Sequence, residues 1–290
     1  MKKTNYHVFF GGIFSLISIL IDAPEIKAQT QANLLIDPPI IPTLIVRDEE
    51  QNLLSQHQHH SPTMTDEEDL GEPMQDNLTF WLLKVDRLEY QVSDGEDTFN
   101  WEIQGWVGGD YERFWVKTEG DVGLENGEGE AELQLLYSRL IAPFWDLQTG
   151  LRYDQLYGDG DGKGRAFAVI GVEGLAPYLF EINAHLFLSQ EGDISAKFAV
   201  EYELLLSQRL ILQPEFEMAI AAQQVEEFGV GSGLNDIELG LRLRYEFSRQ
   251  FAPYVGVVWT KKFGDTANFA KEEGESVDDL KVVGGVRLLF

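Results

Sequence analysis

Apolar and polar residues alternate without interruption in one stretch near the end of the chain, Asp236-Ile237-Glu238-Leu239-Gly240-Leu241-Arg242-Leu243-Arg244-Tyr245-Glu246-Phe247. In an extended strand, successive side chains point to opposite faces, whereas a helix would scatter these residues around its circumference. The stretch is therefore predicted to be a β-strand with one apolar face and one charged face. Residues 144–154 and 178–189 follow the same pattern.

Period-two alternation recurs in twelve segments after residue 77. They are 78–93, 97–109, 111–119, 130–141, 143–156, 164–175, 177–190, 193–206, 208–221, 235–247, 251–263 and 279–290. An even number of antiparallel strands is typical of outer-membrane barrels, in which short turns lie at one rim and longer loops at the other. The connections show this difference, since 109–110 and 142–143 are tight whereas 120–129 and 264–278 are long.

A soluble β-sandwich would also alternate, because one face of each sheet is buried and the other is solvated. Three features favour a membrane barrel instead. The segments exceed the usual soluble strand of about 5–6 residues, and the last of them ends on an aromatic residue, Phe290. Aromatic residues near segment ends would form the interfacial girdles of a barrel; they are Trp81, Tyr90, Trp101, Tyr111, Trp145, Tyr153, Tyr178, Tyr245 and Trp259. We therefore predict an all-β fold, a transmembrane antiparallel β-barrel of about twelve strands at 78–290, preceded by a disordered tail.

The polar faces of these strands would line the interior of the barrel. Predicted interior residues are Asp146, Arg152, Asp154, Glu181, Arg209, Glu215, Glu217, Glu238, Arg242, Arg244 and Glu246. The pairs Glu201/Glu203 and Glu215/Glu217 would form acidic rungs that attract cations, or would be balanced by Arg209, Arg242 and Arg244. The interior is predicted to be acidic, narrow and partly plugged.

The first 28 residues have the layout of a signal peptide, in which Lys2 and Lys3 precede an apolar run from Val8 to Ile21. Such a leader directs export from the cytoplasm. We predict cleavage after Ala28, and the alternative is an uncleaved N-terminal anchor.

Residues 29–77 contain no aromatic residue and hold five of the ten prolines. A segment of this composition cannot bury enough apolar surface to fold, so we predict a disordered tail in the periplasm. Its histidines and methionines are candidate copper ligands, since imidazole and thioether groups suit that metal; they are His57, His59, His60, Met64 and Met74. The alternative is a solvated polar linker.

His185 shares a predicted strand face with Glu181, which places its imidazole in the interior. It is a candidate metal ligand there, or a hydrogen-bonded member of a polar network. The sequence lacks Cys, has a formal charge of −27, and contains neither a Ser/His/Asp arrangement nor a phosphate-binding loop. Binding of nucleic acid is therefore not expected, and neither is an enzymatic activity.

Several motifs resemble the copper resistance protein B family. They are Phe144-Trp145-Asp146-Leu147-Gln148-Thr149-Gly150-Leu151-Arg152-Tyr153-Asp154, Gly174-Leu175-Ala176-Pro177-Tyr178-Leu179-Phe180, the stretch 201–214, the stretch 239–246 and Phe251-Ala252-Pro253-Tyr254. The resemblance implies an outer-membrane barrel that binds or exports copper beside periplasmic proteins, such as a multicopper oxidase or a copper carrier. Family tails are often rich in Met and His, whereas this chain has only Met64, Met74 and Met218 besides the initiator.

The sequence thus predicts a copper-resistance protein of the bacterial outer membrane, surrounded by lipid. Copper would be a bound cargo and not a catalytic cofactor, and the protein would contribute to its sequestration or its export from the periplasm. The alternative is a general porin or a passive structural protein of the outer membrane without metal specificity.

Overall fold

A computed structural model describes residues 78–93, 95–158 and 162–290. Several predictions concern residues that lie outside this part of the chain. These are the signal peptide at 1–28, the disordered tail at 29–77 and the candidate ligands His57, His59, His60, Met64 and Met74. They stay predictions.

The described residues form one antiparallel sheet whose first and last strands pair with each other, so the sheet closes into a barrel. Its strands are β1 (Phe80–Val92), β2 (Thr98–Gly108), β3 (Glu112–Gly123), β4 (Gly129–Ala142), β5 (Trp145–Tyr157), β6 (Gly164–Ala176), β7 (Phe180–Ser189), β8 (Ile194–Glu201), β9 (Leu204–Leu205), β10 (Leu210–Ala221), β11 (Gly233–Tyr245), β12 (Phe251–Lys262) and β13 (Asp278–Leu289). Because β8 and the short β9 both pair with β10, they form one crossing of the wall. The predicted barrel of about twelve strands is confirmed.

The distribution of side chains is the reverse of that in a soluble protein. In β11, Leu239, Leu241 and Leu243 are 44%, 42% and 36% exposed on the outer surface, whereas Arg242 and Arg244 are buried in the interior. Hydrocarbon offers no hydrogen-bond partner, so a membrane-spanning sheet must pair every strand on both sides. A closed wall with an apolar exterior satisfies this condition, and it places the ionisable groups inside the barrel.

A β-bulge interrupts the alternation in β1. The pairing of β1 with β2 shifts its register between Val85 and Arg87, and the pairing with β13 shifts between Val85 and Leu88. A bulge adds one residue to one strand, so neighbouring side chains no longer point strictly to opposite faces. As a result, both Asp86 and Arg87 make ion pairs with interior residues of other strands.

One connection contains a helix that alternation alone does not predict. Helix α1 (Gly264–Glu273) lies between β12 and β13 and buries Ala267 and Ala270. It is joined to β11 by a hydrogen bond of 2.8 Å from Asn235 Nδ2 to Thr266 Oγ1. Across residues 78–93, 95–158 and 162–290, no helix has the length and apolar character that crossing a membrane would require.

Candidate functional site

An apolar cluster fills part of the barrel interior. It consists of the buried residues Trp115, Leu136, Phe167, Val169 and Phe187, with Trp106 packed against them. Cationic side chains cover the rings, since Lys117 Nζ lies 5.0 Å from the ring centre of Trp115 and Arg152 Cζ lies 4.5 Å from that of Phe187. A cation over an aromatic face is attracted by the ring quadrupole. This side of the interior is therefore packed like the core of a soluble domain.

A second feature is an ion pair that crosses the interior between distant strands. Lys197 of β8 places Nζ 2.7 Å from Glu119 Oε1 of β3 and 3.0 Å from Glu217 Oε1 of β10. Four strands of the wall separate β3 from β8, so the pair spans the barrel instead of linking neighbours. We call these three residues the Lys197 bridge.

A third feature is a chain of buried charges between β1, β10 and β11. Arg242 donates to both oxygens of Glu89, at 2.8 and 3.2 Å, and to Glu215 Oε2 at 2.5 Å. Glu215 also pairs with Arg87. The side chains of Arg242, Glu89 and Glu215 are only 3%, 0% and 6% exposed. We call Arg87, Glu89, Glu215 and Arg242 the Arg242 cluster. It links β1 to β10 and β11, from which β12 and β13 separate it in the wall.

Three of the four carboxylates in the predicted acidic rungs, Glu203, Glu215 and Glu217, are paired with bases. Glu203 accepts hydrogen bonds from Arg244 Nη2 at 2.7 Å and from Arg287 Nη1 at 2.8 Å. Among the bases predicted to balance the acidic rungs, Arg242 and Arg244 do so. Arg209 does not, because it lies in the exposed turn before β10 and not in the interior.

Little space remains around the arginines. A cavity of about 10 Å³ lies among them, which is about the smallest volume that can take one water molecule. Its lining residues are Asp86, Arg87, Glu102, Glu201, Gln213, Arg242, Arg244, Tyr254 and Arg287. The interior is therefore narrowed by side chains at this level of the barrel.

His185 lies in the interior, as the alternation of side chains along its strand predicts. It is buried, its Nε2 is 2.9 Å from Gln148 Oε1, and Gln148 Nε2 donates in turn to Glu173 Oε2 at 2.9 Å. Glu173 is paired with Lys117. Within the described part of the chain, no three His, Asp or Glu side chains are arranged to hold a metal ion. His185 is thus a member of a polar network, and its role as a ligand stays a prediction.

Gly171 on β6 makes room for this imidazole. A Cβ atom at Gly171 would lie 2.3 Å from His185 Cδ2 and 2.5 Å from the Ala184 carbonyl oxygen. We therefore expect Gly171→Ala to displace His185 and to lower the free energy of unfolding by about 1–3 kcal/mol, as overpacking does. The measurement is the temperature at which the folded band shifts on a gel.

The matched control is Gly284→Ala on β13, where an added Cβ would meet no atom within 4 Å. This variant should shift at the wild-type temperature. Equal behaviour of the two variants would contradict the proposed packing of His185 against Gly171.

Several residues of this interior network are absent from the sequence-based prediction. Arg87, Glu89, Glu119 and Lys197 make its longest connections, yet only Arg242, Glu215 and Glu217 among their partners were predicted to face the interior. Lys197 lies four residues before Glu201 in β8, so alternation places both side chains on the same face of the strand, and the sequence could have predicted that Lys197 faces the interior. For Arg87 the alternation fails, because the bulge in β1 changes the face to which its side chain points.

Comparison with known proteins finds the same family by two routes, a family model and two similar sequences. A family model described as "Copper resistance protein B precursor (CopB)" matches residues 79–290. The copper resistance protein B of Escherichia coli is 42% identical over 221 residues, covering 76% of this chain and 73% of that protein. A homolog from Pseudomonas syringae pv. tomato is 36% identical over 221 residues, with the same coverage. Among solved structures, the KdgM porin is similar with a TM-score of 0.46 and 11% identity, covering 72% of this chain and 99% of that one.

Proposed function

The chain belongs to the copper resistance protein B family, and from this membership we propose that it binds copper and contributes to its sequestration or its export from the periplasm. The family match spans the whole barrel, and it is the observation that carries the proposal. Copper is then the cargo of the protein, which performs no reaction on it.

The proposed copper ligands of the tail are His57, His59, His60, Met64 and Met74, all outside the described residues. Three of the five histidines of the chain fall within four positions. Neutral imidazole and thioether groups bind copper without a preformed cage when the peptide can wrap the ion. The tail would therefore collect copper, and we place it in the periplasm.

The barrel favours retention of copper over free passage. The Lys197 bridge and the Arg242 cluster each join strands that are not neighbours in the wall, and these charged pairs occupy part of the space that an open pore would need. A general porin requires a water-filled interior, so these contacts argue against that alternative. Export through the lumen would require the bridging side chains to move.

His185 is proposed as a secondary ligand inside the barrel. Its Nε2 is engaged with Gln148, so binding an ion there would require that contact to break. The proposed partners are copper, the lipid of the outer membrane, and a periplasmic multicopper oxidase or copper carrier that receives or supplies the metal.

The tail proposal is tested on the full-length mature protein in detergent. Replacing His57, His59, His60 and Met64 together with Ala is expected to abolish most copper binding, because it removes the main imidazole ligands. Equilibrium dialysis with Cu(II), and with Cu(I) under a reductant, measures the bound metal. The variant should also fail to restore copper survival to a strain that lacks the gene.

The control is His185→Gln, which removes the one histidine of the described residues and should leave most binding in place. If the tail variant binds as much copper as the wild type, the tail is not the binding segment. If His185→Gln alone removes the binding, the metal is held in the barrel instead.

A further inference from the structure

The connection between β10 and β11, residues 222–232, reaches over the mouth of the barrel. Lys163 Nζ donates to the Glu227 carbonyl oxygen at 3.2 Å, and Arg165 Cζ lies 5.1 Å from the ring centre of Phe228. Lys163 and Arg165 lie at the start of β6, which β7 and β8 separate from β10 in the wall. The connection therefore crosses the ends of two strands to reach a third, and we call it the mouth loop.

The mouth loop lies at the rim that carries the long connections, together with helix α1. In outer-membrane barrels the longer loops face the outside of the cell and the short turns face the periplasm. The loop is thus at the outer rim, opposite to the rim at which β1 begins.

The guanidinium of Arg165 lies between two aromatic rings. Its Cζ is 4.9 Å from the ring centre of Phe167, on the same strand, and 5.1 Å from that of Phe228. The quadrupole of each ring attracts the cation, and Asp193, just before β8, pairs with the same guanidinium. Arg165 is only 6% exposed although it lies near the rim. Phe228 is therefore seated on a residue of the interior face.

The tip of the mouth loop is a compact unit. Val225 and Val230 exchange two backbone hydrogen bonds, of 2.7 and 3.1 Å, and Glu226–Phe228 between them form a single 3₁₀ turn. Gly229 ends this turn with a φ of +65°, a conformation that glycine adopts without strain. Because the tip closes on itself, it can leave β6 without unfolding.

The two ends of the mouth loop are fixed to the rim by hydrogen bonds of the backbone. Ala222 N donates to the Ile194 carbonyl oxygen of β8 at 2.8 Å. On the other side, Gly231 N donates to Thr266 Oγ1 of helix α1 at 2.9 Å. These contacts do not involve β6, so they can persist when the tip moves.

The tip is held to β6 by side chains. Lys163 and Glu227 are 48% and 61% exposed, and an exposed ion pair contributes little to stability. The contact of Arg165 with Phe228 is therefore the main attachment of the tip. Breaking it costs no backbone pairing between strands.

We propose that the mouth loop is a lid that closes the outer mouth of the barrel. Its hinges are the attachments to β8 and helix α1, and its latch is the seat of Phe228 on Arg165. Opening the lid would admit solutes to the interior from the outside. The Lys197 bridge and the Arg242 cluster lie further along the strands, so they would still narrow the passage below an open lid. The lid is independent of the proposed copper function.

The first test is zero-length carbodiimide cross-linking of the full-length protein in detergent, mapped by peptide mass spectrometry. A seated lid should give an amide bond between Lys163 and Glu227. Lys261 and Asp278, 2.8 Å apart at the same rim, provide an internal reference. We expect Phe228→Ala to lower the yield of the first cross-link several-fold and to leave the second unchanged.

Glu226→Ala is the matched control, because it removes an exposed side chain from the same 3₁₀ turn and leaves Phe228 in place. It should give both cross-links in wild-type yield. A heat-dependent band shift verifies that each variant is folded. A wild-type protein that forms the reference cross-link but not the one at Glu227 would overturn the proposal.

The second test measures access to the interior. The chain contains no Cys, so Ser195→Cys places a single thiol on the interior face of β8, two residues before Lys197. Its reaction with a water-soluble maleimide should be several-fold faster when Phe228→Ala is added, and unchanged when Glu226→Ala is added. Entry from the opposite rim is the same in all three proteins. An unchanged rate in a variant that has lost the cross-link would mean that the loop does not close the mouth.

Discussion

Replacing Arg242 with Ala is expected to lower the free energy of unfolding of the barrel by about 3–5 kcal/mol, the usual cost of leaving a buried charge without its partner. Arg242 donates three hydrogen bonds to Glu89 and Glu215. The side chain of Glu89 is fully buried, so its carboxylate would lose these charged donors where bulk water has no access. Unfolding in urea from detergent or lipid vesicles, followed by Trp fluorescence, measures this loss.

Two further variants separate loss of charge from loss of packing. Arg209→Ala removes an arginine from an exposed turn and should change the stability by no more than about 0.5 kcal/mol. Adding Glu89→Gln to Arg242→Ala should restore part of the stability, because the carboxylate that lost its partner becomes neutral. If the double variant is as unstable as the single one, the Arg242 cluster stabilises the barrel by packing and not by charge.

The number and position of the strands could be predicted because alternation is a local property of the sequence. Residues 236–247 show the inner and outer faces of β11 without any knowledge of its neighbours. The closure of the wall could be predicted as well, since a membrane forbids unpaired strand edges. Both predictions need only the length of the segments and the alternation of their side chains, together with the general rule for sheets in a membrane.

The contacts across the interior could not be predicted in this way. Lys197 and Glu119 are 78 residues apart, and whether they meet depends on the tilt of the strands and the width of the closed barrel. The bulge in β1 likewise depends on pairing with two neighbours. Helix α1 is held by buried alanines and by Asn235, and neither contact leaves a period-two signal.

The candidate copper ligands differ from the interior network in the kind of evidence that supports them. The tail histidines follow from composition, which needs no structure. The contact between His185 and Gln148, in contrast, is given only by the three-dimensional structure. A lone interior histidine cannot be assigned to metal or to a polar network from sequence parity alone.

The double variant Arg87→Ala and Lys197→Ala is expected to raise the single-channel conductance of the barrel several-fold in planar lipid bilayers. Each substitution removes a long side chain that reaches across the interior, to Glu215 and to Glu119 respectively. The carboxylates left behind would line the widened passage, and rings of acidic side chains select for cations. The reversal potential in a salt gradient should therefore shift toward that of the cation.

Lys271→Ala is the control for a general change of charge, because it removes a lysine from the exposed surface of helix α1, and it should conduct as the wild type does. A folded double variant with wild-type conductance would mean that the Lys197 bridge and the Arg242 cluster do not limit passage. If the wild-type conductance is already as high as that of the variant, the result would favour the alternative that the protein is a general porin. A several-fold increase would instead show that the resting barrel is narrowed by its own ion pairs.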